Sequence, residues 1–442
     1  MPNIRVHFET FGCQMNKLDS ETAAEKLLAS GFELADTPDA ADVIIFNTCS
    51  VREHAEERVY SRIGILKRAK RLRPELVIGV MGCMAQKDGK LIFRRAPLVD
   101  IVCGPRQEMR LAELIAEARK GRRILALDGV DCVQAPQAEP GAAWLERTGL
   151  TRPSPFHAFA AIMLGCDNFC SYCVVPYVRG REESRPIDDV AEEVRRLAAS
   201  GAREITLLGQ NVNSYSFGLP KLLRKIHDTP GVERIRFVTS HPKDVSDDLL
   251  AAMAELPKVC RHLHAPAQSG SSRILGLMNR RYTREHYLDM AGRARRIVPG
   301  IEIASDFIVG FPTETQDDFQ QTVGLVKEAG FNQCFIFKYS PRPGTKAAEM
   351  ADDVPHDVKK RRNNDLLAVQ EEVSICRNRQ KHGRVMEVLI EGPSKNDPAR
   401  LTGRTGGNDI VAAAGPPSLA GSIVQVRITG STPLTLLGEI AP

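Results

Sequence analysis

Apolar positions in the first part of the chain come as short β-branched runs at residues 4–8, 43–46, 77–81 and 100–102. Between them lie longer stretches, such as 20–30 and 52–73, in which apolar residues recur at helical spacing. Strands alternating with helices predict a doubly wound, mostly parallel α/β sheet over residues 1–132. The pattern lapses over 133–157, where Pro136, Pro140, Pro153 and Pro155 stand among Ala and Gly, the composition of a linker.

From residue 158 the alternation resumes. Strands are expected at 158–164, 204–208, 234–238, 261–264, 301–309 and 333–339, with helices such as 186–200 and 283–298 between them. Six strand-helix units are too few for a closed eight-fold barrel and predict a partial (β/α)6 barrel over 158–378, whose ligands sit at the carboxyl ends of its strands. Its last part, 355–382, reads as a basic helical connector. Short alternating runs at 385–391, 409–412 and 422–429, joined by Gly and Pro turns, predict a small all-β barrel over 379–442.

With 442 residues, 43% hydrophobic and 26% charged, the chain is excluded from disordered, collagenous and coiled-coil classes. No apolar run approaches the roughly 18 to 20 residues of a membrane span, and the first ten residues lack the apolar stretch of a signal peptide. A cytoplasmic protein without membrane partners is expected. The net charge of +5 permits an anionic partner without demanding one. Residues 52–73 carry eight Lys or Arg against three acids, and 355–384 eight against four; such stripes track phosphates or are solvated helix faces. Residues 384–442 carry five of each sign.

Eleven cysteines, an odd number in a large chain, point to reduced thiols held for metal or catalysis rather than to a disulfide framework. GCDNFCSYC sets Cys166, Cys170 and Cys173 in a C-x3-C-x2-C spacing just after the first strand of the partial barrel. Three thiolates on one tight loop can hold three corners of a cubane iron-sulfur cluster and leave the fourth iron open. The alternative is structural zinc, which normally closes with a fourth Cys or His. Cys13, Cys49 and Cys83 lie 36 and 34 residues apart, each just beyond a strand, in HFETFGC, IIFNTC and VIGVMGC. Parallel strands send their carboxyl ends to one edge, so these three can converge as a second metal site; the alternative is three buried small apolar residues.

The C-x3-C-x2-C spacing resembles the radical S-adenosylmethionine superfamily, in which the open iron binds S-adenosylmethionine and an electron from the cluster cleaves it to a 5′-deoxyadenosyl radical. That resemblance implies catalytic roles for Cys166, Cys170 and Cys173. It also implies cofactor contacts for Tyr172, for Gln210 and Asn211 in LLGQNVNSY, for Gln268, and for Ser305 and Asp306 in SDFIVGFPTE. TFGCQMNKLDSE (10–21), NTCSVREHAEERVYSRIG (47–64), MGCMAQ (81–86), VVPYVRGREESR (174–185) and YSPRPGT (339–345), in that order, are similar to the methylthiotransferases. The likeness spans all three regions and implies that the tail is a TRAM domain, an RNA-binding β-barrel. GCQMN at 12–16 and VREHAEE at 51–57 favour the branch acting on dimethylallyl adenosine over sisters acting on threonylcarbamoyladenosine or a ribosomal-protein aspartate, whose motifs tend toward GCKVN and GCPKN.

The resemblance implies a sulfur-transferring enzyme that methylthiolates carbon 2 of N6-(dimethylallyl)adenosine at position 37 of tRNA. Two 4Fe-4S clusters are implied, the auxiliary one on Cys13, Cys49 and Cys83, with two S-adenosylmethionine molecules used per product. Cys103, at another strand end, is left out because the family uses three ligands there. Expected partners are the tRNA anticodon stem-loop and an electron donor such as a flavodoxin or ferredoxin, with the chain a monomer. The two triplets are expected to approach within about one substrate width. His7, His241, His262 and His264 receive no catalytic role. The rival from another class is a noncatalytic RNA-binding protein with structural clusters.

Overall fold

The computed structural model describes residues 4–50, 53–128, 151–152, 154–395 and 397–441. Most of the expected linker, with Cys132, lies outside the described residues. The chain divides into two compact units: residues 1–153, 159–167 and 173–185 form one, and 154–158, 168–172 and 186–442 the other.

The first unit contains, in order, β1 (Arg5–Phe11), α1 (Gln14–Ala29), β2 (Glu33–Leu34), β3 (Val43–Thr48), α2 (Glu53–Ile65), α3 (Lys67–Leu72), β4 (Val77–Met81), α4 (Cys83–Asp88), α5 (Lys90–Arg95), β5 (Ile101–Cys103), α6 (Leu111–Ala118) and β6 (Ile124–Ala126). The strands form one parallel sheet in the order β2-β1-β3-β4-β5-β6. Side chains alternate across it: Ile44 and Phe46 of β3 enter one apolar core, with Val59, Ile63, Ile78 and Val80, while Val43 and Ile45 enter the other, with Leu27, Ile101 and Ile115. A strand buried on both faces explains the unbroken VIIF run that marks β3 in sequence. Further along come β7 (His157–Ala161), β8 (Met163–Leu164), α7 (Val175–Val178) and β9 (Glu183–Ser184), with β8 and β9 paired antiparallel as a ribbon that brackets the GCDNFCSYC loop.

The second unit continues with α8 (Ile187–Ala199), β10 (Glu204–Leu208), α9 (Leu219–His227), β11 (Arg234–Phe237), α10 (Asp247–Glu255), β12 (His262–His264), α11 (Ser272–Leu277), α12 (Arg284–Ile297), β13 (Glu302–Val309), α13 (Gln316–Ala329), β14 (Gln333–Lys338) and α14 (His356–Arg379). Within this unit β10 and β11 pair in parallel, β12, β13 and β14 run side by side in that order, and an isolated parallel bridge links Ile235 to Val259. Ser246, Ser271, Thr283 and Thr315 cap α10 to α13 with their side-chain oxygens, so each helix begins at a defined residue.

The tail forms a closed barrel of β15 (Val385–Pro393), β16 (Arg400–Thr405), β17 (Ile410–Ala414), β18 (Ile423–Ser431) and β19 (Thr435–Ile440), in the order β15-β16-β17-β19-β18. Two of its strands escape the sequence pattern. In β16 the inward positions are Leu401, Gly403 and Thr405, and in β19 two of them are Leu436 and Gly438, so glycine and threonine hide the alternation.

Buried charges fasten this barrel to the strands before it. Arg234 donates to the carbonyls of Arg404 (2.7 Å) and Glu387 (3.0 Å), and Arg236 to those of Thr405 (2.6 Å) and Gly406 (3.2 Å). Lys381 bridges Glu302 (2.9 Å) and Asp409 (2.5 Å). The basic stripe at 355–384 is therefore half internal: Lys359 pairs with Asp352, Arg362 with Glu314, and Arg377 and Lys381 with Glu302, leaving Lys360, Arg361, Arg379 and Arg384 exposed. Among the described residues no helix is long and apolar enough to cross a membrane.

His262 of β12 is 8% exposed, and burial first, then Arg236, His264 and Arg404, hold its imidazole well below the ordinary 6.5. The unfolded chain takes up this proton near pH 6.5 and the folded chain does not, so stability falls as pH drops below that value, by about 2 kcal/mol at pH 5 for this one group. Thermal denaturation is expected to show a lower midpoint at pH 5 than at pH 7, with a smaller difference in His262→Gln; an equal difference in the variant contradicts this account.

Candidate functional site

Parallel register delivers Phe11, Thr48 and Met81 of three adjacent strands to one edge of the first unit's sheet. Cys13 lies two residues past Phe11 and caps α1, Cys49 comes directly after Thr48, and Cys83 opens α4 two residues past Met81. A hydrogen bond shared with Cys49 is the largest influence on the Cys13 thiol. Burial pushes the other way, but Arg179 and the Asn16 hydrogen bond add to the downward pull, and the pKa falls to about 6. Cys83 is buried, which raises its thiol pKa against the opposing pull of Arg179.

An amide network sets these loops. Asn16 Nδ2 donates to Asn47 Oδ1 (3.0 Å), and Asn47 Nδ2 donates to Asn16 O (2.8 Å) and Ser20 Oγ (2.9 Å). Cys13 Sγ donates to Asn16 Oδ1 (3.2 Å). Gly82, at φ +92°, lies so close that a Cβ there meets Asn47 Oδ1 at 2.4 Å and the Thr48 carbonyl at 2.9 Å. Cys103 ends β5 beside Met81, and its carbonyl accepts from the Gly82 N–H (3.0 Å). It is fully buried in the apolar core with Val6, Ile45 and Leu111, and burial, then Glu108 and Asp128, drives its thiol pKa well up.

The C-x3-C-x2-C loop contributes Cys166 and Cys173 to the first unit and Cys170 to the second. At its start the Cys166 N–H donates to the Gly180 carbonyl (3.2 Å), and Gly165, at φ +74°, leaves only 2.0 Å between a Cβ and the Arg181 carbonyl. Just past its end, Val174 and Val178 form one buried apolar cluster with Cys83, a member of the other triplet. Next comes Arg179, 5% exposed, whose Nε donates to Cys83 Sγ (3.2 Å) and whose Nη2 donates to Asp19 Oδ2 (2.6 Å).

In the second unit Arg280, also buried, donates Nη1 to Cys170 Sγ (3.3 Å) and Nη2 to the Pro266 carbonyl (2.7 Å). Tyr172 packs against the cluster of Ile274, Met278, Phe311 and Tyr339. The other expected cofactor residues lie past strand carboxyl ends (Gln210, Asn211, Gln268) or in the middle of β13 (Ser305, Asp306), and behave in two ways. Asn211 and Ser305 are committed to the protein: Asn211 donates Nδ2 to Asp244 (3.1 Å) and accepts from the His241 N–H (3.0 Å), while Ser305 Oγ accepts from the Ala267 N–H (2.9 Å) and donates to the Ala265 carbonyl (3.2 Å). Asp306 meets His264 Nε2 at 3.1 Å. By contrast, Gln210 Oε1, Gln268 Oε1, Ser240 Oγ and His241 Nε2 are buried with no hydrogen-bond partner. Orphaned polar atoms are costly, and several at one set of strand ends fit a polar ligand.

His241, given no role from sequence, belongs to this set. Burial first, then Arg280, Lys243 and Arg281, push its pKa down to about 2, so the ring is neutral. Its Nδ1 accepts from the Lys243 N–H (3.3 Å), which places the proton on the orphaned Nε2. Also missed were Phe335 and Phe337. They share a face of the sheet with Asp306 and Ile308, in register, and are 40% and 38% exposed, unusual for large apolar rings.

Among the described residues no three His, Cys, Asp or Glu side chains close on a single ion. A cubane spreads its three thiolates wider than one ion does, and an all-sulfur donor set fits iron-sulfur chemistry.

The uncharacterized protein family UPF0004 matches residues 5–104, the Radical SAM superfamily 161–326 and the TRAM domain 379–441. The tRNA-2-methylthio-N(6)-dimethylallyladenosine synthase of Syntrophomonas wolfei subsp. wolfei is 46% identical, over 98% of this chain and 96% of its own length. Those of Syntrophotalea carbinolica and Clostridium novyi are each 45% identical, over 98% and 99% of this chain and 99% and 97% of their own. The chain belongs to this synthase family. Among solved structures it is similar to the radical S-adenosylmethionine methyltransferase TsrM from Kitasatospora setae, with cobalamin and a 4Fe-4S cluster bound (TM-score 0.60, 16% identity, 78% of this chain and 77% of that one). It is also similar to the cobalamin-dependent radical enzyme OxsB with S-adenosylmethionine bound (TM-score 0.53, 13% identity, 84% and 56%). At such identities the likeness is one of fold.

Gly82→Ala is expected to displace the Asn47 amide and the Thr48–Cys49 turn, costing about 1–3 kcal/mol. A lower thermal denaturation midpoint is the expected result; a wild-type midpoint contradicts it.

Proposed function

We propose that this chain transfers a methylthio group to carbon 2 of N6-(dimethylallyl)adenosine at position 37 of tRNA. Curated relatives bearing the synthase name at 44–46% identity over nearly full length support the reaction. The single observation that supports the two-site reading is that Val174, next to Cys173, shares one buried apolar cluster with Cys83 in the first unit.

In this reading Cys166, Cys170 and Cys173 hold one 4Fe-4S cluster and Cys13, Cys49 and Cys83 the auxiliary one. Bound there, the clusters with two S-adenosylmethionine molecules per product supply the radical and the methylated sulfur that an unreactive aromatic carbon requires. Asn211 and Ser305, whose side chains are spent on the protein, orient the cofactor loops, while Tyr172, Gln210, Gln268, Asp306 and the Nε2–H of His241 make the contacts. Phe335 and Phe337 offer flat apolar faces to an alkylated adenine. The TRAM barrel, with the exposed Lys360, Arg361, Arg379 and Arg384, meets the tRNA backbone. An electron donor such as a flavodoxin or ferredoxin completes the cycle.

Mass spectrometry of tRNA from a deletion strain tests the substrate: dimethylallyl adenosine that still gains its methylthio group refutes the assignment. With reductant and S-adenosylmethionine, Cys170→Ala is expected to form no 5′-deoxyadenosine, whereas Cys49→Ala keeps that product and loses sulfur insertion. Phe335→Ala is expected to raise the KM for tRNA about tenfold or more, the size of one lost base stack, with uncoupled 5′-deoxyadenosine formation unchanged. An unaltered KM removes these rings from substrate recognition.

A further inference from the structure

Arg179 and Asp19 form a charge pair whose side chains are only 5% and 7% exposed. The guanidinium spends one edge on the carboxylate, Nη2 to Oδ2 at 2.6 Å and Nη1 to Oδ1 at 3.4 Å, and turns its remaining Nε–H on Cys83 Sγ at 3.2 Å. Its backbone is held as well: Arg106 donates Nη2 to the Arg179 carbonyl (3.3 Å) and Nη1 to Glu183 (3.1 Å). Val174 and Val178, just before Arg179, form one buried apolar cluster with the same cysteine. Two buried charges give up hydration, a cost that an apolar pair of equal volume does not bear, so packing alone does not account for them. Their geometry does: a planar fork clamped by a carboxylate leaves one N–H aimed in a fixed direction, and that direction ends on sulfur.

We propose that Asp19 and Arg179 are positioning residues for the auxiliary site, the carboxylate orienting the guanidinium and the guanidinium donating a hydrogen bond to the Cys83 sulfur. The inference rests on the assignment of Cys13, Cys49 and Cys83 to a cluster. Its logic is that of the carboxylate that orients a metal-binding histidine, where loss of the outer partner weakens metal binding about 10- to 100-fold. A hydrogen bond to a thiolate ligand favours the more negative, reduced cluster, so its loss lowers the reduction potential. Lysine, a point charge without the fork, cannot serve both Asp19 and Cys83 in this geometry.

The test uses the full chain with Cys166, Cys170 and Cys173 changed to Ala, reconstituted anaerobically with iron and sulfide so that only the auxiliary set can load. Iron content, the rate of iron loss to a chelator, the electron paramagnetic resonance spectrum of the reduced protein and its midpoint potential are measured with Arg179 intact, in Arg179→Gln, in Arg179→Lys and in Asp19→Leu/Arg179→Met. The last removes both charges together and is expected to keep the fold, monitored by thermal denaturation of the apoprotein. All three variants are expected to lose iron about tenfold faster or more, with an altered spectrum and a lower potential. If the parent with Arg179 intact loads no iron, the cysteine assignment fails and the proposal falls with it. If the parent loads and the folded double variant matches it in iron loss, spectrum and potential, only the proposal falls.

Discussion

Parallel pairing of β1, β3 and β4 is the constraint on which the first unit's chemistry depends. Residues dozens of positions apart in the chain end their strands side by side because each pair is in register, Phe11 beside Thr48 and Asn47 beside Met81. Once the strands are so paired, the residues just beyond their ends share one edge, and in each of the three strands a cysteine is among them. A slip of one residue in any of these strands would exchange its two buried faces, moving Ile44 and Phe46 out of one core and Val43 and Ile45 out of the other. Two apolar cores therefore enforce the register, and the register places the thiols. The amides of Asn16 and Asn47 fix the last ångström, since a parallel sheet edge leaves its connecting loops to find their own hydrogen bonds.

Each cysteine set also meets a buried guanidinium, Arg179 at Cys83 and Arg280 at Cys170. In both cases the rest of the guanidinium is occupied by protein, by Asp19 in one and by the Pro266 carbonyl and Tyr282 hydroxyl in the other. An arginine so tethered cannot relax away from the sulfur, and it opposes the accumulation of negative charge that several thiolates in an apolar surrounding bring. The four orphaned polar atoms at the barrel strand ends are the complementary feature. Such a set of unpartnered atoms at neighbouring strand ends fits a polar ligand.

Legibility in the sequence obeys the same physics. Strands buried on both faces announce themselves as β-branched runs, and cysteines just beyond such runs are visible because position relative to a strand is a local property. Arg179 was not legible in this way, although it stands inside the VVPYVRGREESR segment, because its partners are 96 and 160 residues away and its burial is a tertiary fact. His241 failed for a similar reason: nothing local distinguishes an imidazole with both nitrogens satisfied from one whose Nε2 is stranded. The basic stripe at 355–384 misled by half, since charge counted along a helix does not reveal which residues turn inward to Glu302, Glu314 and Asp352. Gly403 and Gly438 erased two barrel strands from the pattern because glycine registers as neither apolar nor polar.

The attachment of the small barrel turns on which atoms are read. Arg234 and Arg236 donate to main-chain carbonyls of Glu387, Arg404, Thr405 and Gly406, so this part of the contact recognises barrel backbone and is indifferent to the side chains there. The Glu302–Lys381–Asp409 bridge reads side chains instead, and Asp409 is in turn bound by Thr405 (2.9 Å), at the other end of the turn between β16 and β17. A fixed anchor made of backbone leaves the barrel's outward residues free to vary while its orientation stays put. For a domain whose overall charge is balanced, that matters more than attraction. Five basic and five acidic residues over 384–442 give little long-range pull on a polyanion, and what the barrel offers instead is a fixed orientation with a few side chains presented.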